Sequence, residues 1–340
     1  MRVFVAGASG VIGRRLVPRL IERGHEVVGT TRTRRKLETV RALGATAVVM
    51  DGLDAAAVGE AVARAEPDVI VHEMTSLEGV RDLRRFDTAF VVTNELRIRG
   101  TDHLLAASAA VGVHRLLAQS YAGWPSERAG GPVKTESDPL DPDPPAQQRQ
   151  SIEAIRHLEQ AVVGAPAVEG LVLRYGTLYG PGTSVASDLG ELIRRRRLPL
   201  VGDGAGVWSF VHVDDAAAAT VLAVELGAPG LYNVVDDEPA PVAEWLPYLA
   251  ACLEAPAPRR VPAWLARMAV GEVGVSVMTK VRGASNAKAK HELGWTPFWG
   301  SWRDGFEHGM SEEPMGHGRT CGRGACHSRR RTFVFGESWE

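Results

Sequence analysis

Short apolar runs alternate with longer helical patterns along the first two thirds of the chain. The runs are apolar almost throughout, which is typical of parallel strands covered on both faces. They predict strands near residues 3–6, 26–29, 47–50, 68–72, 115–118, 170–174, 209–213 and 231–235. The intervening patterns predict helices near 12–23, 34–43, 55–65, 94–110, 152–163 and 214–225. Repeated strand–helix–strand units predict an α/β fold with a doubly wound parallel Rossmann sheet.

The pattern also divides the chain. Residues 1–175 are predicted to form a dinucleotide-binding domain, to which 213–236 return, and 176–212 with 237–308 a smaller C-terminal substrate-binding lobe. Beyond about Glu312, Gly, Arg, His and Cys replace the aliphatic periodicity, so 312–340 are predicted to be a disordered tail. The tail residues His317, Cys321 and Cys326 fit no common zinc spacing, and no metal site is predicted.

Composition narrows the class of protein. With 45% hydrophobic and 24% charged residues among 340, the chain can form a packed core. A formal net charge of −2 argues against binding nucleic acid or anionic membranes through bulk charge. Three cysteines are too few for a disulfide framework, and neither a signal segment nor a spanning apolar run is apparent. We therefore expect a cytoplasmic protein, monomeric or homodimeric, that acts on a small molecule.

A glycine-rich turn follows the first predicted strand and begins the first helix. Glycine there permits a tight turn and close approach of the backbone to a pyrophosphate, which the helix N-terminus then holds. The sequence therefore predicts dinucleotide binding. The residues assigned to this turn are Gly7, Ser9, Gly10, Val11, Ile12 and Gly13.

The end of the second strand bears on the choice between NAD(H) and NADP(H). An NAD site usually has a carboxylate there, whereas this chain has Arg32, with Arg35 close behind. Guanidinium groups can bind a 2′-phosphate, so NADP(H) is favoured over NAD(H), unless these arginines only begin a solvated helix. Asp51, followed by Gly52, is the predicted acceptor for the adenine amino group. Alternatively, Asp51 is an acid near the N-terminus of the helix that follows Asp54.

Several motifs, in the same order, resemble the extended short-chain dehydrogenase/reductase superfamily of the NAD-dependent epimerase/dehydratase type, over about residues 1–306. This resemblance implies an NAD(P)-dependent enzyme, and it places His72, Glu73, Gln119 and Tyr175 beside the cofactor. For His72 and Glu73, contact through the backbone alone is the alternative. The motifs are the glycine turn, Asn94 with Gly100-Thr101, Leu173-Arg174-Tyr175, Tyr179-Gly180-Pro181-Gly182, Phe210-Val211-His212-Val213-Asp214-Asp215, Tyr232-Asn233-Val234 and Leu293-Gly294-Trp295-Thr296-Pro297.

The family's chemistry relies on a Ser or Thr after the fifth strand and on a Tyr-x-x-x-Lys helix that supplies the proton. Ser120 stands at the serine position and is the predicted catalytic residue. The tyrosine and lysine positions fall on Ser151 and Ile155, and no Tyr-x-x-x-Lys occurs in the chain. The chain thus resembles atypical members that lack the usual proton donor. His72, Glu73 or Thr75, a phenol of the substrate or a water chain remain open as proton sources.

The substrate side differs from that of nucleotide-sugar enzymes. Those enzymes carry an Arg that binds the phosphates of the substrate, and in this chain the corresponding segment has Trp208 instead. Trp124, Trp245 and Trp264 add further aromatic surface, unless these tryptophans belong to the core. A flat or aromatic substrate is therefore predicted. The favoured function is an NADP(H)-preferring ketone reductase in which Ser120 orients the carbonyl. The alternatives are a non-catalytic NAD(P)-binding regulator or sensor and a nucleotide-sugar epimerase or dehydratase.

Overall fold

The computed structural model describes residues 1–77 and 83–311. Its centre is a parallel sheet of seven strands: β1 (Arg2–Ala6), β2 (Glu26–Thr31), β3 (Thr46–Val49), β4 (Val69–His72), β5 (Arg115–Tyr121), β7 (Glu169–Tyr175) and β12 (Gly230–Val234). Eight short strands pair two by two outside it: β6 (Val133–Lys134), β8 (Thr177–Tyr179), β9 (Leu200–Val201), β10 (Val207–Trp208), β11 (Phe210–His212), β13 (Ala240–Pro241), β14 (Arg260–Val261) and β15 (Gly283–Ala284).

Helices connect most of these strands. They are α1 (Val11–Glu22), α2 (Leu37–Ala42), α3 (Ala55–Ala65), α4 (Phe86–Ala89), α5 (Val91–Glu95), α6 (Thr101–Val111), α7 (Arg149–Val163), α8 (Gly190–Arg194), α9 (Val213–Glu225), α10 (Val242–Cys252), α11 (Ala263–Thr279), α12 (Ala287–Glu292) and α13 (Trp302–His308). Short 3₁₀ turns occupy Arg34–Lys36, Leu83–Arg85 and Ala146–Gln148, and π-helical turns occupy Leu96–Gly100 and Val185–Leu189.

The order of strands in the sheet is β12-β7-β5-β4-β1-β2-β3, with all neighbours parallel. The chain therefore starts at the middle of the sheet, builds outward to β3 and then returns through β4 to the other edge. This doubly wound arrangement confirms the predicted fold class. In such sheets the carboxyl ends of the strands form the ligand-binding edge, and β1, β4 and β5 bring their ends together there.

Alternate residues of β1 point to opposite faces of the sheet and enter two separate cores. Val3 and Val5 join the core beneath α1 and α9, whereas Phe4 and Ala6 join the core beneath α3, α6 and α7. Both faces are thus covered, which is why the strands are apolar throughout. A third core lies between the short strands, α10 and α13, and contains the fully buried Trp245.

Candidate functional site at the carboxyl ends of the strands

The glycine turn lies between β1 and α1, and two of its glycines have no room for a side chain. Gly7 has φ +100°, and a Cβ there would lie 2.7 Å from the carbonyl oxygen of Glu73. A Cβ at Gly13 would lie 2.6 Å from the carbonyl oxygen of Gly7. No side chain caps the N-terminus of α1, which begins after Gly10. A close-packed turn that leads into an uncapped helix N-terminus fits the pyrophosphate of a dinucleotide.

The other predicted residues of the turn lie in the same place. The Ser9 hydroxyl is 3.3 Å from the hydroxyl of Thr31, at the end of the neighbouring strand β2. Gly10 donates its N–H to the Gly7 carbonyl at 2.9 Å, which closes the turn. Ile12 is buried in the core beneath α1, and Val11 is exposed at the first position of the helix. The turn therefore joins the ends of β1 and β2 at one edge of the sheet.

Arg32 directly follows β2, and Arg35 lies in the 3₁₀ turn beyond it. Both side chains are exposed, and neither forms an ion pair with a residue in 1–77 or 83–311. Two exposed guanidinium groups therefore stand next to the glycine turn, where they are available to an anion. Their preference for a 2′-phosphate stays a prediction.

Asp51 follows the end of β3 after one intervening residue, and it does not cap the following helix. The cap of α3 is Asp54, which accepts the N–H groups of Ala56 and Ala57 at 3.0 and 3.1 Å. Asp51 instead accepts the N–H of Leu53 at 3.0 Å and is otherwise exposed. Asp54, and not Asp51, therefore provides the side-chain cap of this helix. Gly52 is tightly packed, since a Cβ there would lie 2.5 Å from the Met74 sulfur.

His72 ends β4, and its side chain is enclosed by the protein. Its Nδ1 accepts the N–H of Met74 at 3.2 Å, so Nε2 carries the proton that it donates to the Leu96 carbonyl at 3.3 Å. Burial, with a smaller contribution from the Arg97 charge, lowers the pKa of His72 to about 4. The imidazole is therefore neutral near pH 7 and both of its nitrogens are in use.

Glu73 is buried at the turn itself. Tyr175 donates its hydroxyl to one carboxyl oxygen at 3.0 Å and also lies 2.7 Å from the hydroxyl of Thr220. The other carboxyl oxygen has no partner among the described residues, and burial raises the pKa of Glu73 to about 8. The side chains of Glu73 and Tyr175 thus bond to each other in the interior, while the Glu73 backbone contacts Gly7. This arrangement favours backbone contact with a cofactor for Glu73.

Ser120 lies near the end of β5, opposite Arg174 of β7. Its hydroxyl donates to Glu159 of α7 at 2.7 Å. Arg174 binds the same carboxylate through two nitrogens, at 2.8 and 2.6 Å, and all three residues are buried. The proton of Ser120 is therefore directed at Glu159. Gln119, the preceding residue, is half-buried. Nothing in the sequence pattern signals that Glu159 and Arg174 pair.

The two residues predicted to stand at the family's tyrosine and lysine positions, Ser151 and Ile155, lie on the buried face of α7. The Ser151 hydroxyl donates to Asp87 at 2.6 Å and accepts from the Asn94 amide at 3.0 Å. Asp87 also accepts the backbone N–H groups of Gln150 and Ser151, so it stabilises the N-terminus of α7. Ile155 is fully buried in apolar surroundings. Neither position offers an acidic proton. Sequence reasoning missed Asp87, which no motif marks.

An aromatic cluster lies beside Ser151 and consists of Phe86, Phe90, Tyr121 and Trp124. The rings of Phe86 and Phe90 stack at 4.3 Å, and Trp124 meets them edge-on at 5.0 and 6.5 Å. Tyr121 lies 5.9 Å from Trp124, and its hydroxyl is 2.7 Å from that of Thr177. The rings of Phe90, Tyr121 and Trp124 are only half-buried. Trp124 therefore presents a half-buried apolar ring, and its contact with an aromatic substrate stays a prediction.

The other tryptophans divide differently. Trp245 is fully buried in the third core. The ring of Trp208 packs against it at a tilt of 41°, with 4.7 Å between ring centres, and donates its ring N–H to the Val277 carbonyl. Trp264 lies on the outside of α11 with 67% of its surface exposed. Of the two interpretations that the sequence leaves open, Trp245 therefore belongs to the core, whereas Trp264 is not a core residue and projects from the surface.

Two general findings concern the described residues. Within 1–77 and 83–311, no three His, Cys, Asp or Glu side chains gather closely enough to hold a metal ion. Among the same residues, no helix has the length and apolar character required to cross a membrane. Cys252 forms no disulfide within the described residues. The predicted tail, with His317, Cys321 and Cys326, lies outside the described residues.

Comparison with known proteins identifies relatives over most of the chain. A reductase from a Streptomyces species, the 3-diazoavenalumate denitrifying reductase, is 47% identical over 310 residues, which cover 90% of this chain and 99% of the relative. The 2-alkyl-3-oxoalkanoate reductase of Stenotrophomonas maltophilia is 31% identical over 269 residues, covering 75% of this chain and 77% of the relative. Reductases thus stand among the relatives that match most of the chain.

Solved structures support the fold. The dTDP-glucose 4,6-dehydratase DesIV of Streptomyces venezuelae, determined with NAD bound, superposes with a TM-score of 0.72 and 23% identity, covering 91% of this chain and 96% of the other. The family model "NAD dependent epimerase/dehydratase family" matches residues 3–234, which include the glycine turn, Ser120 and all seven strands of the sheet. The chain therefore belongs to the NAD-dependent epimerase/dehydratase family.

Proposed function

We propose that this protein is an NAD(P)H-dependent reductase that replaces the diazo group of an aromatic substrate by hydrogen. The observation that carries the proposal is that Ser151 and Ile155, the residues predicted to stand at the positions of the family's proton-donating pair, are both buried in structural contacts on α7. The relative with 47% identity is named a 3-diazoavenalumate denitrifying reductase, and that name supports a reduction of a diazo compound.

The proton balance separates the two reductions under consideration. A ketone that receives a hydride becomes an alkoxide and needs a proton to form the alcohol. An aryl diazonium ion that receives a hydride at its ring carbon becomes an arene and releases N₂, so the charges balance without a proton. When bound, NAD(P)H would supply the hydride in either case. The lack of a Tyr-x-x-x-Lys pair is therefore an impediment to ketone reduction and none to removal of the diazo group.

The residues of the chain would then bind and position the reactants rather than transfer protons. The glycine turn and the N-terminus of α1 would hold the pyrophosphate. Arg32 and Arg35 would receive a 2′-phosphate, so we propose that NADP(H) is preferred. The aromatic cluster would pack against the ring of the substrate. Ser120, Glu159 and Arg174 would form a rigid floor beneath the reacting groups.

Ketone reduction is the second candidate function, with Ser120 orienting the carbonyl. The name of the relative with 31% identity, an oxoalkanoate reductase, favours it. The direction of the Ser120 hydroxyl speaks against it, since that proton is donated to Glu159. We propose, in addition, a division into a cofactor domain of residues 1–175 and 213–236 and a substrate lobe of 176–212 and 237–308.

The test measures oxidation of NADPH and of NADH with matched substrates. One substrate is a 4-diazonium cinnamate and the other is 4-acetylcinnamate, which differs only in the group to be reduced. We expect enzyme-dependent N₂ release and cinnamate formation from the first, faster with NADPH than with NADH. Heat-denatured protein is the control for direct reaction of the diazonium ion with the cofactor. Turnover of the ketone alone would establish the second candidate, and tight NADPH binding with no turnover would indicate a sensor.

A further inference from the structure

The interior near Ser120 contains more positive than negative charge. Two arginines, Arg97 and Arg174, and one carboxylate, Glu159, are buried there. Arg174 holds Glu159 through two hydrogen bonds, and Ser120 donates a third to the same carboxylate. No acidic side chain in 1–77 or 83–311 forms an ion pair with Arg97. The Glu159 carboxylate acts on Arg97 through its charge without forming an ion pair with it, and it is already hydrogen-bonded to Arg174 and Ser120. Because a buried charge requires compensation, Arg97 can attract a further anion.

Arg97 lies at an unusual place in its helix. It stands in the π-helical turn Leu96–Gly100, between α5 and α6, and such turns are frequent at functional sites. One guanidinium nitrogen donates to the Asn94 side-chain oxygen at 3.2 Å, which is the only hydrogen bond of this side chain to any residue that the structure describes. A guanidinium has five N–H donors, so most of its donors are uncommitted.

The surroundings of Arg97 connect it to the candidate substrate site. Its guanidinium carbon lies 6.0 Å from the centre of the Phe90 ring, a member of the aromatic cluster. The Asn94 side chain that accepts from Arg97 donates to Ser151, at the position of the family's tyrosine. Arg97 thus lies beside the Phe90 ring of the aromatic cluster, and Asn94 links it by hydrogen bonds to Ser151.

We propose that Arg97 is a substrate-binding residue that receives an oxyanion, a carboxylate or phenolate, carried by the aromatic substrate. A guanidinium presents a planar fork of donors that matches such oxygens, and the low-polarity surroundings strengthen the attraction. The substrate class is then an aromatic acid or phenol whose ring packs on the aromatic cluster. This inference deepens the proposed function, on which it rests for the identity of the site.

The test measures binding of unreactive probes, so that its result does not depend on which group is reduced. Isothermal titration with NADP⁺ present compares cinnamate, 4-nitrophenolate and the uncharged methyl cinnamate. In Arg97→Met we expect the affinity for at least one of the two anions to fall by about tenfold or more, with that for the ester nearly unchanged. The anion that is affected distinguishes carboxylate from phenolate. Arg97→Lys should restore part of the loss because it restores the charge.

Arg99→Met is the matched control. Arg99 lies two residues away in the same helical turn, but its side chain is exposed and donates to the Leu53 carbonyl. It should leave the affinity for all three probes unchanged. Should Arg97→Met not fold, Arg97→Gln, which keeps a donor for Asn94, takes its place. Equal affinities for the anions in wild type and Arg97 variants would overturn the proposal, as would a loss confined to NADP⁺ affinity. Failure of the diazonium assay alone would leave this binding result standing.

Discussion

The glycine-turn side and the α7 side of the ligand-binding edge differ in how far they keep the sequence pattern of the family. On the glycine-turn side, Gly7 and Gly13 are packed so closely that no other residue fits, and the turn has the spacing that the family uses for a dinucleotide. On the α7 side, Ser151 and Ile155 are the residues predicted at the positions of the family's tyrosine and lysine, and both are buried in structural contacts. The side proposed to bind the cofactor thus keeps the predicted pattern of the family, whereas the side at which the family would supply the proton is predicted to depart from it.

This difference teaches which part of the chemistry the fold itself determines. Binding and positioning of a hydride donor depend on the backbone of the glycine turn and on the strand order, and both are intact. Delivery of a proton depends on two side chains, which substitution can remove without disturbing the sheet. A reduction that needs a hydride but no proton is compatible with both observations.

The largest expected effect comes from the buried network on the α7 side. Arg174→Met removes the arginine from Glu159 and leaves the buried carboxylate with one hydrogen bond to a described residue, from Ser120, and the more distant charge of Arg97. The free energy of unfolding should fall by about 3–5 kcal/mol, as for other broken buried ion pairs. Chemical denaturation measures it. Arg64→Met, which breaks the exposed pair with Glu60, should change it by less than about 1 kcal/mol. Equal losses of unfolding free energy in the two variants would mean that burial does not make the Arg174–Glu159 pair more important for stability than an exposed pair.

On the cofactor side, Gly13→Ala places a methyl group against the backbone of Gly7 and Ala8. The turn must shift, so the free energy of unfolding should fall by about 1–3 kcal/mol, and NADPH affinity should fall with it. Thermal melting with and without NADPH measures both. Gly59→Ala on α3, where nothing lies within 4 Å of the added Cβ, is the control and should be neutral or stabilising. Unaltered NADPH affinity in Gly13→Ala would show that the turn does not hold the cofactor.

Glu73 lies between the two sides and should make stability depend on pH. Burial raises its pKa to about 8, so between its usual pKa and 8 the folded protein holds a proton that the unfolded chain has lost. The free energy of unfolding therefore decreases as pH rises. His72, whose pKa is lowered from 6.5 to about 4, acts in the opposite direction between these values. The decrease should thus be apparent between pH 6.5 and 8, at up to about 1.4 kcal/mol per pH unit.

Glu73→Gln should remove this decrease, whereas Glu95→Gln on the exposed face of α5 should preserve it. Denaturant unfolding at a series of pH values measures the slope. A slope that persists in Glu73→Gln would show that another group is responsible.

The smallest expected effect concerns the choice of cofactor. Arg32→Ala should weaken NADPH binding by about tenfold, or 1.4 kcal/mol, because it removes a charged donor for the 2′-phosphate, and should barely affect NADH. Titration of both cofactors by fluorescence measures the affinities. Arg41→Ala, on the exposed side of α2 and paired with Glu38, should leave both unchanged. Parallel losses of NADPH and NADH in Arg32→Ala would defeat the proposed NADP(H) preference.

The sequence pattern was sufficient to predict the sheet. The unbroken apolar runs predicted every strand of the central sheet to within a few residues, because burial on both faces leaves a strong local signal. Gly7, Gly10 and Gly13 could likewise be placed in one turn, since they are close in sequence and each position tolerates little else.

Contacts between distant segments left no such signal. Asp87 meets Ser151 across 64 residues, and Glu159 meets Ser120 across 39. Arg97 is buried, although its helical neighbour Arg99 is exposed and looks the same in the sequence. The sequence likewise left open which tryptophans belong to the core, and packing places Trp245 inside and Trp264 outside. These residues depend on tertiary packing, and they include most of those that define the α7 side of the site.

The central claim is that this site delivers a hydride in a reaction that needs no proton, and a competition assay tests it directly. Equal concentrations of 4-diazonium cinnamate and 4-acetylcinnamate are mixed with the enzyme and NADPH that carries deuterium at its transferable position, with heat-denatured protein as control. The account predicts cinnamate with deuterium at the ring carbon that bore the diazo group, together with N₂, ahead of any alcohol. Deuterated alcohol formed first, with the diazonium compound consumed no faster than in the control, would contradict it.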